Sequence, residues 1–569
     1  MSKTREFETD VLIIGGGVAG SRAAIEAYDR GAKVTLSNKG LFARDGAATW
    51  MASTGYNAAL YAPDNAETHA KDTIVAGRYI GQQELISTLV DLIPQTVKDL
   101  YRWGMKWEKD SQGKFQQTAL PCETHWRCLK PIGGRPNFKR AFIDQMRRRE
   151  INLIENMFVT DLLTSGNAVV GAVGVDVIDG AFQIIRAKAT VLATGGAAGC
   201  FRFHSNGNAT LGDGMAMAYR AGACLKDMEF QQFIPACPVW PLSAAGGDAY
   251  KYLTQIYGHL YNNQGERFME RYCPVTKEWS SRQELSRCID NEVRARRGTA
   301  HGGVYLGLNH LPRNILGAFL EYHREDSVLR KLREAGIDPY QDAFEVGIPA
   351  HYSQGGCSIN ERCESSLEGL YVVGEAAAGV DGADRLAGNA LPFCMAMGMV
   401  GGREASRRSL ATNLLAIDQN QLEELREKAY EPLSSREPRI SPTAVKQTIQ
   451  ETMDAYAVFS RNKDGLESAL KIFGEIREKT LPKVATHSVR CNLEWVEAME
   501  LRNIIDVAEI ICQSALMRTE SRGAHERSDY PREDPGWLKN NTVEKVDGKM
   551  VFTKKPVSLT YYQPEEANE

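Results

Sequence analysis

Three glycines near the start of the chain have the spacing of a phosphate-binding turn. Gly15, Gly17 and Gly20 form the pattern G-x-G-x-x-G. In such a turn the glycines allow a tight bend, a close approach of the backbone to a pyrophosphate, and close contact between a helix and a strand. The phosphates lie over the N-terminus of the following helix, where free N–H groups and the helix dipole favour anions. The spacing therefore predicts a dinucleotide site.

The segments around these glycines have the pattern of a strand, a turn, a helix and a second strand. Residues 10–14 (DVLII) form an apolar run rich in β-branched side chains, which is typical of a buried parallel strand. The next segment predicts a helix with a small-residue face that includes Ala19; Gly31 ends it, and residues 32–36 form the second strand. Asn38 stands where many dinucleotide sites carry an acidic residue for the ribose, and an amide can also hydrogen-bond a ribose.

Two later segments are expected to return to the same sheet. Residues 189–194 (ATVLAT) predict a buried strand that runs into Gly195-Gly196, and residues 370–374 (LYVVG) predict another that leads to Glu375. Glycines at such strand ends allow a backbone to approach a ligand closely. The cofactor domain is therefore expected to be interrupted and resumed. The predicted domains are a cofactor-binding domain at 1–225 and 346–405, an inserted domain at 226–345, a helical domain at 406–525 and a tail at 526–569.

The C-terminal third has two further local patterns. A three-four spacing of small and apolar side chains predicts one buried helical stripe, formed by Leu501, Ile504, Ile505, Ala508, Ile511, Cys512 and Ala515. The tail from Pro531 is predicted to be rich in loops, with one hairpin around residues 546–549 (VDGK).

Composition excludes several classes of protein. A chain of 569 residues is long enough for two or three domains, and its 43% hydrophobic and 25% charged residues are ordinary for a globular protein. The net charge of −4 argues against a dedicated nucleic-acid binder. No apolar run approaches the roughly 20 residues that cross a bilayer, and the N-terminal segment is too polar for a signal peptide. Twelve scattered cysteines without a C-x-x-C pair predict reduced thiols, a cytoplasmic protein and no metal site.

The order of motifs along nearly the whole chain resembles the flavoprotein subunit of the succinate dehydrogenase/fumarate reductase family. Besides the glycine turn, the matching segments are 193–196 (ATGG), 212–222 (GDGMAMAYRAG), 228–230 (MEF), 265–269 (GERFM), 351–356 (HYSQGG), 373–375 (VGE), 382–389 (GADRLAGN) and 518–527 (RTESRGAHER). The resemblance implies an α/β fold: a Rossmann-like FAD-binding domain with an inserted α+β capping domain, a C-terminal helical domain and a short tail. It also implies a small anionic substrate and an iron–sulfur partner subunit.

The resemblance makes FAD the expected cofactor. Many family members attach FAD covalently to a histidine after the second strand, but the segment from Lys39 to Asn57 has no histidine. Bound FAD is therefore expected to be non-covalent. The residues predicted to contact it are Gly15, Gly17, Ala19, Gly20, Asn38, Lys39, Ala193, Thr194, Gly195, Asp213, Glu375, Gly388, Asn389 and Leu391.

The substrate region departs from the family pattern. The family has a Phe-His-Pro-Thr segment whose histidine and threonine belong to this region, whereas residues 233–236 read Phe-Ile-Pro-Ala. The threonine-glutamate pair and the glycine-rich passage that normally follow are also missing. A carboxylate favours charge-assisted, bidentate donors in a dry pocket. Losing part of the donor set predicts a substrate other than fumarate or succinate.

Three residues remain as candidates for the active site. The resemblance implies that Arg282 relays a proton and that His351 and Arg385 bind the substrate; Gln283 stands where the family usually has an aspartate. His125, Arg127 and Arg135 could add basic contacts, although ordinary loop polarity explains them better. In the divergent region, Trp240, Tyr257 and His259 either form a replacement pocket or pack in a core.

These observations predict a flavoprotein subunit that exchanges two electrons between an anionic substrate and an iron–sulfur partner. The protein would supply positioning, anion binding and proton delivery, and the cofactor would supply the redox chemistry. Three alternatives stay open: fumarate reduction itself, which Ile234 and Ala236 disfavour, an adenylylsulfate reductase-like flavoprotein, and a non-catalytic flavin relay inside a larger redox complex. Arg282, His351 and Arg385 argue against the relay.

Overall fold

The computed structural model describes residues 3–44, 46–50, 55–247, 249–254, 256–322, 327–433, 440–486 and 488–564. The α-helices are α1 Val18–Asp29, α2 Ala66–Ala76, α3 Gln83–Arg102, α4 Gly134–Arg147, α5 Asp213–Arg220, α6 Tyr250–Thr254, α7 Met269–Tyr272, α8 Arg282–Arg294, α9 Arg313–Tyr322, α10 Ser327–Glu334, α11 Ala390–Ala411, α12 Gln419–Tyr430, α13 Pro442–Tyr456, α14 Lys463–Glu475 and α15 Leu493–Met517. The strands are β1 Thr4–Ile14, β2 Val34–Ser37, β3 Tyr56–Asn57, β4 Gln117–Thr118, β5 Cys128–Leu129, β6 Asn152–Ile154, β7 Met157–Ser165, β8 Ala168–Asp176, β9 Phe182–Leu192, β10 Leu225–Lys226, β11 Gln231–Phe233, β12 Cys237–Trp240, β13 His259–Tyr261, β14 Val304–Gly307, β15 Phe344–Gly347, β16 Ala350–Ser353, β17 Gly356–Ser358, β18 Leu370–Val372, β19 Ala377–Ala378, β20 Ser460–Arg461, β21 Glu526–Arg527, β22 Lys539–Val546 and β23 Lys549–Pro556.

The largest sheet brings distant segments of the chain to one edge. Its strand order is β6-β2-β1-β9-β8-β7, and β18 also pairs with β9. β1 is parallel to both β2 and β9, with Ile14 beside Ser37 and Leu192. The carboxyl ends of these strands therefore coincide, and in open α/β sheets ligands bind at this edge. Both strands predicted to return to the sheet, in β9 and in β18, do so.

The segment between β11 and β16 forms a module with its own core. Its antiparallel sheet has the order β12-β15-β14-β13. The apolar side chains of this module form a cluster separate from the main core, and they include Leu260, Ile289, Val304 and Phe344. A separate core is what defines a structural unit. We call residues 234–346 the capping module.

Helices α12 to α15 follow the sheet in the chain. α15 is buried along most of its length, and all seven residues of the predicted stripe from Leu501 to Ala515 are buried, as expected. The predicted hairpin is formed by β22 and β23. Strand β22 also pairs with β10, with Val543 beside Leu225, so the tail completes a five-stranded sheet. The expectation of a loop-rich tail is wrong at this point, because a partner strand so far upstream leaves no local trace in the sequence.

The predicted α/β fold, with an inserted α+β module and a helical C-terminal part, is confirmed. All twelve cysteines are free thiols, and most of them, including Cys200, Cys357 and Cys512, are buried. Of the helices in the described ranges, none has both the length and the apolar character needed to cross a membrane.

Candidate cofactor and substrate site

The glycine turn closes β1, α1 and the end of β9 against one another. Gly15 has a positive φ of 108°, and a Cβ atom on it would lie 2.3 Å from the Ala193 carbonyl oxygen. A Cβ on Gly20 would lie 1.9 Å from the Gly15 carbonyl oxygen. Only glycine fits at either position, since real Cβ atoms do not approach other atoms so closely. Helix α1 therefore begins directly over the carboxyl edge of the sheet.

A cavity of about 390 Å³ lies at this edge, within the size range of small-molecule sites. Ten of the residues predicted to contact the cofactor line it: Gly15, Gly17, Ala19, Asn38, Lys39, Ala193, Thr194, Gly195, Asp213 and Glu375. Helix α15 also lines the cavity, through Leu493, Val496 and Glu500. A glycine-lined cavity over a helix N-terminus fits a dinucleotide such as FAD.

Lys39 ties three elements together beside this cavity. Its Nζ atom lies 3.0 Å from Asp213 Oδ2 at the start of α5 and 2.5 Å from Glu500 Oε1 on α15. Burial works against the charge, but the two carboxylates outweigh it and raise the pKa of Lys39. Lys39 therefore stays a cation. Sequence reasoning missed Glu500, because a contact between residues 39 and 500 has no local signal.

Asn38 holds the glycine turn in place. The Gly16 N–H group donates to Asn38 Oδ1 at 3.1 Å, and Asn38 Nδ2 donates to the Gly40 carbonyl at 2.8 Å. Both ends of the amide thus bond the backbone. The expected contact of Asn38 with a ribose stays a prediction.

Gly388, Asn389 and Leu391 do not line this cavity. Asn389 Oδ1 accepts from Asn57 Nδ2 at 3.0 Å and lies 2.9 Å from His69 Nε2, and its Nδ2 donates to Thr73 Oγ1. Burial, followed by the charge of Arg127, lowers the pKa of His69 to about 4. The Asn389 side chain is thus used within the protein, and its contact with the cofactor remains a prediction.

Glu375 follows β18 and faces the same cavity. Its Oε1 accepts from the Ser353 N–H group at 3.0 Å. Burial raises the pKa of Glu375 to about 7, although this bond and the Arg385 charge oppose the shift. Glu375 thus connects the cavity with the strand that carries His351.

Arg385 is a buried cation without an ion pair among the described residues. It is 6% exposed, and its Nη2 donates to Gln232 Oε1 at 2.8 Å. The guanidinium lies 4.5 Å from the centre of the Tyr352 ring. Its Nε has no hydrogen-bond partner. A buried cation with an unused donor is suited to an anionic ligand, because burial without a partner costs free energy.

His351 and Arg282 face the same region. His351 Nδ1 lies 2.7 Å from Ser205 Oγ. Desolvation, followed by the charges of Arg385 and Arg282, holds the pKa of His351 well below its usual range, so the imidazole is neutral. Arg282 is the first residue of α8, and its guanidinium lies 4.9 Å from the centre of the Tyr250 ring. Within the described part of the chain, Arg282 also has no ion pair.

The structure gives a different account of the other polar and aromatic candidates. Arg127 is buried in ion pairs with Asp64 at 3.0 Å and Asp72 at 2.7 Å, which is a structural role; the Arg135 side chain lies outside the described residues. Among the described residues of the capping module, three pairs of rings stack: Trp240 with His301, Tyr257 with Trp279, and His259 with His310. Trp240 and Tyr257 are 41% and 60% exposed, so these two side chains do not pack in a core.

Ile234 and Ala236 are buried apolar residues, so their positions offer no side-chain donor. Two polar residues that sequence reasoning did not select, Gln232 and Asp384, lie beside Arg385 instead. Gln232 Nε2 donates to Asp384 Oδ1 at 2.9 Å. The only signal for them in the sequence is that Gln232 lies close to Ile234 and that Asp384 directly precedes Arg385.

Comparison with known proteins places this geometry in context. A family model described as "FAD binding domain" matches residues 10–391, and one described as "Fumarate reductase flavoprotein C-term" matches residues 446–568. The chain is 33% identical over 538 residues to a subunit of the fumarate reductase (CoM/CoB) of Methanothermobacter marburgensis, covering 94% of this chain and 96% of the relative. It is 30% identical over 581 residues to the succinate dehydrogenase flavoprotein subunit of Rickettsia bellii, covering 97% and 95%.

Solved structures show the same likeness. An E. coli quinol fumarate reductase chain superposes with a TM-score of 0.90 at 27% identity, over 99% of both chains. Adenylylsulfate reductase of Archaeoglobus fulgidus gives a TM-score of 0.80 at 22% identity, over 99% of this chain and 97% of that one. The second comparison shows a shared fold alone.

Proposed function

The chain belongs to the family of succinate dehydrogenase and fumarate reductase flavoprotein subunits, and from this membership we propose the reaction that it catalyses. It is an FAD-dependent oxidoreductase. We propose that it is the catalytic subunit of a complex that carries out two-electron redox chemistry on a small anion other than fumarate or succinate. We further propose that an iron–sulfur partner exchanges the electrons.

The observation that carries this proposal is the pair of arginines without ion pairs in the described part of the chain. Arg385 is buried with an unused Nε donor, and Arg282 faces the same region from the capping module. Both charges act on the neutral His351. A purely electron-relaying protein would not need a buried arginine whose Nε donor has no partner, since a buried donor without a partner costs free energy.

The three residues have separate roles in the proposed reaction. Bound FAD supplies the two-electron chemistry. Arg385 binds the anionic group through its free guanidinium edge, and neutral His351 donates a hydrogen bond while Ser205 fixes its ring. Arg282 moves a proton between its guanidinium and the substrate.

The proposed holoprotein holds FAD without a covalent bond. Gly15, Gly17 and the N-terminus of α1 would hold the pyrophosphate, and Lys39 lies beside the same cavity. Precipitation with acid should therefore release all the flavin into the supernatant. Yellow colour retained in the protein pellet would show a covalent link.

An anaerobic reoxidation screen tests the reaction. The FAD-loaded protein is reduced, and fumarate, adenylylsulfate, enoyl thioesters and other small anions are added while flavin absorbance is followed. We expect reoxidation by at least one small anion, and faster reoxidation by that anion than by fumarate. If only a redox protein partner reoxidises the flavin, the chain is an electron relay; if adenylylsulfate reoxidises it fastest, the chain works like an adenylylsulfate reductase.

A further inference from the structure

Asp384 is a carboxylate inside a site otherwise suited to anions. It directly precedes Arg385, and its Oδ1 accepts from Gln232 Nε2 at 2.9 Å. The other end of the same amide, Gln232 Oε1, accepts from Arg385 Nη2 at 2.8 Å. Gln232 is 3% exposed. One buried amide therefore fixes the relative positions of the Asp384 carboxylate and the Arg385 guanidinium.

The second carboxylate oxygen of Asp384 is unused. Among the residues that the structure describes, Asp384 Oδ2 has no hydrogen-bond or ion-pair partner. Burial raises the pKa of Asp384, whereas the Gln232 bond and the charges of Arg282, Arg385 and Arg78 act in the opposite direction. Arg282 and Arg385 also act on His351. Asp384 thus interacts with the two arginines of the proposed substrate site, and the same two arginines act on His351.

Asp384 changes which ligand this site accepts. If the second carboxylate of a dicarboxylate held at Arg385 lies next to Asp384, two like charges are brought together, and this disfavours binding. A hydroxyl, amide N–H or ammonium group in that place would instead satisfy Oδ2. A site that hydrogen-bonds a particular group also rejects analogues without it, because its own polar atom is then left unpaired.

We propose that Asp384 determines specificity in this site, and that the substrate is a monoanion carrying a hydrogen-bond donor where a dicarboxylate has its second carboxylate. The inference rests on the proposed function for the position of the anion. Asp384 accepts a hydrogen bond from the donor group of the substrate, and it repels the second carboxylate of a dicarboxylate.

Succinate and succinamate form a matched pair of probes. They have nearly the same shape, but succinamate replaces one carboxylate with an amide that donates hydrogen bonds. Both are titrated into the FAD-loaded full-length protein at pH 7.5, and binding is followed through the change in flavin absorbance. We expect the wild type to bind succinamate at least about tenfold more tightly than succinate.

The variant Asp384→Asn removes the charge while keeping the acceptor for Gln232. In this variant we expect the preference for succinamate to disappear, mainly through tighter binding of succinate. Asp454→Asn is the control, because Asp454 is a carboxylate on α13 that accepts from the Arg202 N–H group; the preference should be unchanged there.

The outcomes separate this inference from the proposed function. Equal affinities in the wild type, or a preference that survives Asp384→Asn, overturn the role of Asp384 even if small anions reoxidise the reduced flavin. If the variant does not fold, the wild-type comparison still tests the inference, because equal affinities for the two probes overturn it. If neither probe binds and no anion reoxidises the flavin, the proposed function fails instead.

Discussion

The proposed substrate site contains two arginines that have no ion pair in the described part of the chain. Arg282 and Arg385 come from different parts of the fold. The Gln232 amide links Arg385 to the carboxylate of Asp384 through two hydrogen bonds. Family motifs in the sequence predict Arg282, His351 and Arg385 as residues of the substrate site, and this stays a prediction. Gln232 and Asp384 could not be selected in the same way, since their importance arises from a bond between residues 152 positions apart.

Arg282→Ala is expected to lower the turnover number at least about a thousandfold, because it removes both a proton carrier and a cation. FAD content should stay at the wild-type level, since Arg282 does not line the cofactor cavity. Steady-state kinetics and flavin absorbance measure the two effects. Arg287→Ala is the control on the same helix, where the arginine pairs with Glu526 at 3.2 Å. Turnover above roughly a tenth of the wild-type value would remove Arg282 from the mechanism.

His69 should give the protein a measurable pH dependence of stability. Its pKa is about 4 in the folded protein and near 6.5 when exposed, so the unfolded chain takes up a proton first as the pH falls. The stabilising contribution of neutral His69 is complete above pH 6.5 and declines as the pH falls toward 4, by roughly 3 kcal/mol in all. Thermal unfolding of wild type and His69→Gln at pH 7.5 and 5 should show a smaller difference in Tm at pH 5. A constant difference would mean that His69 does not resist protonation.

At the carboxyl edge of the main sheet, β1, α1 and the end of β9 pack so closely that only glycine fits at positions 15 and 20. The strand–turn–helix–strand pattern from residue 10 to residue 36 was readable because each part follows its neighbour in sequence. The pairing of β22 with β10 was not readable, because short strands with distant partners carry no period of their own. Local order in the chain thus predicts the turn, and long-range pairing decides what surrounds it.

Gly20→Ala is expected to abolish FAD binding, because the added methyl group would lie 1.9 Å from the Gly15 carbonyl oxygen and push α1 away from β1. FAD content after purification and the Kd for added FAD measure the effect. Gly474→Ala on α14 is the matched control, since nothing lies within 4 Å of the added carbon; it should leave FAD binding intact and stabilise its helix by up to about 1 kcal/mol. Normal FAD content in Gly20→Ala would show that α1 can shift without harm.

At the scale of the whole molecule, the cofactor cavity is lined by residues that are far apart in the sequence, from Ile14 to Glu500. The glycine turn lines this cavity, and so does α15 through Leu493, Val496 and Glu500. Lys39, which follows β2, forms ion pairs with Asp213 on α5 and Glu500 on α15, and it thereby connects the sheet with the helical part. Because a ligand stabilises the state that binds it, FAD should stabilise the helical part as well as the sheet.

Removing FAD is therefore expected to increase hydrogen–deuterium exchange in the first two turns of α15, with a smaller change in α13.

Lys39→Met should produce the same increase at saturating FAD and weaken FAD binding at least about tenfold, since it leaves Asp213 and Glu500 without their shared cation. Lys446→Met is the control: Lys446 also pairs with Glu500, at 3.1 Å, but it does not line the cavity. Equal loss of affinity in both variants would assign the effect to Glu500 alone, and unchanged exchange in α15 without FAD would show that the helical part folds independently of the cofactor.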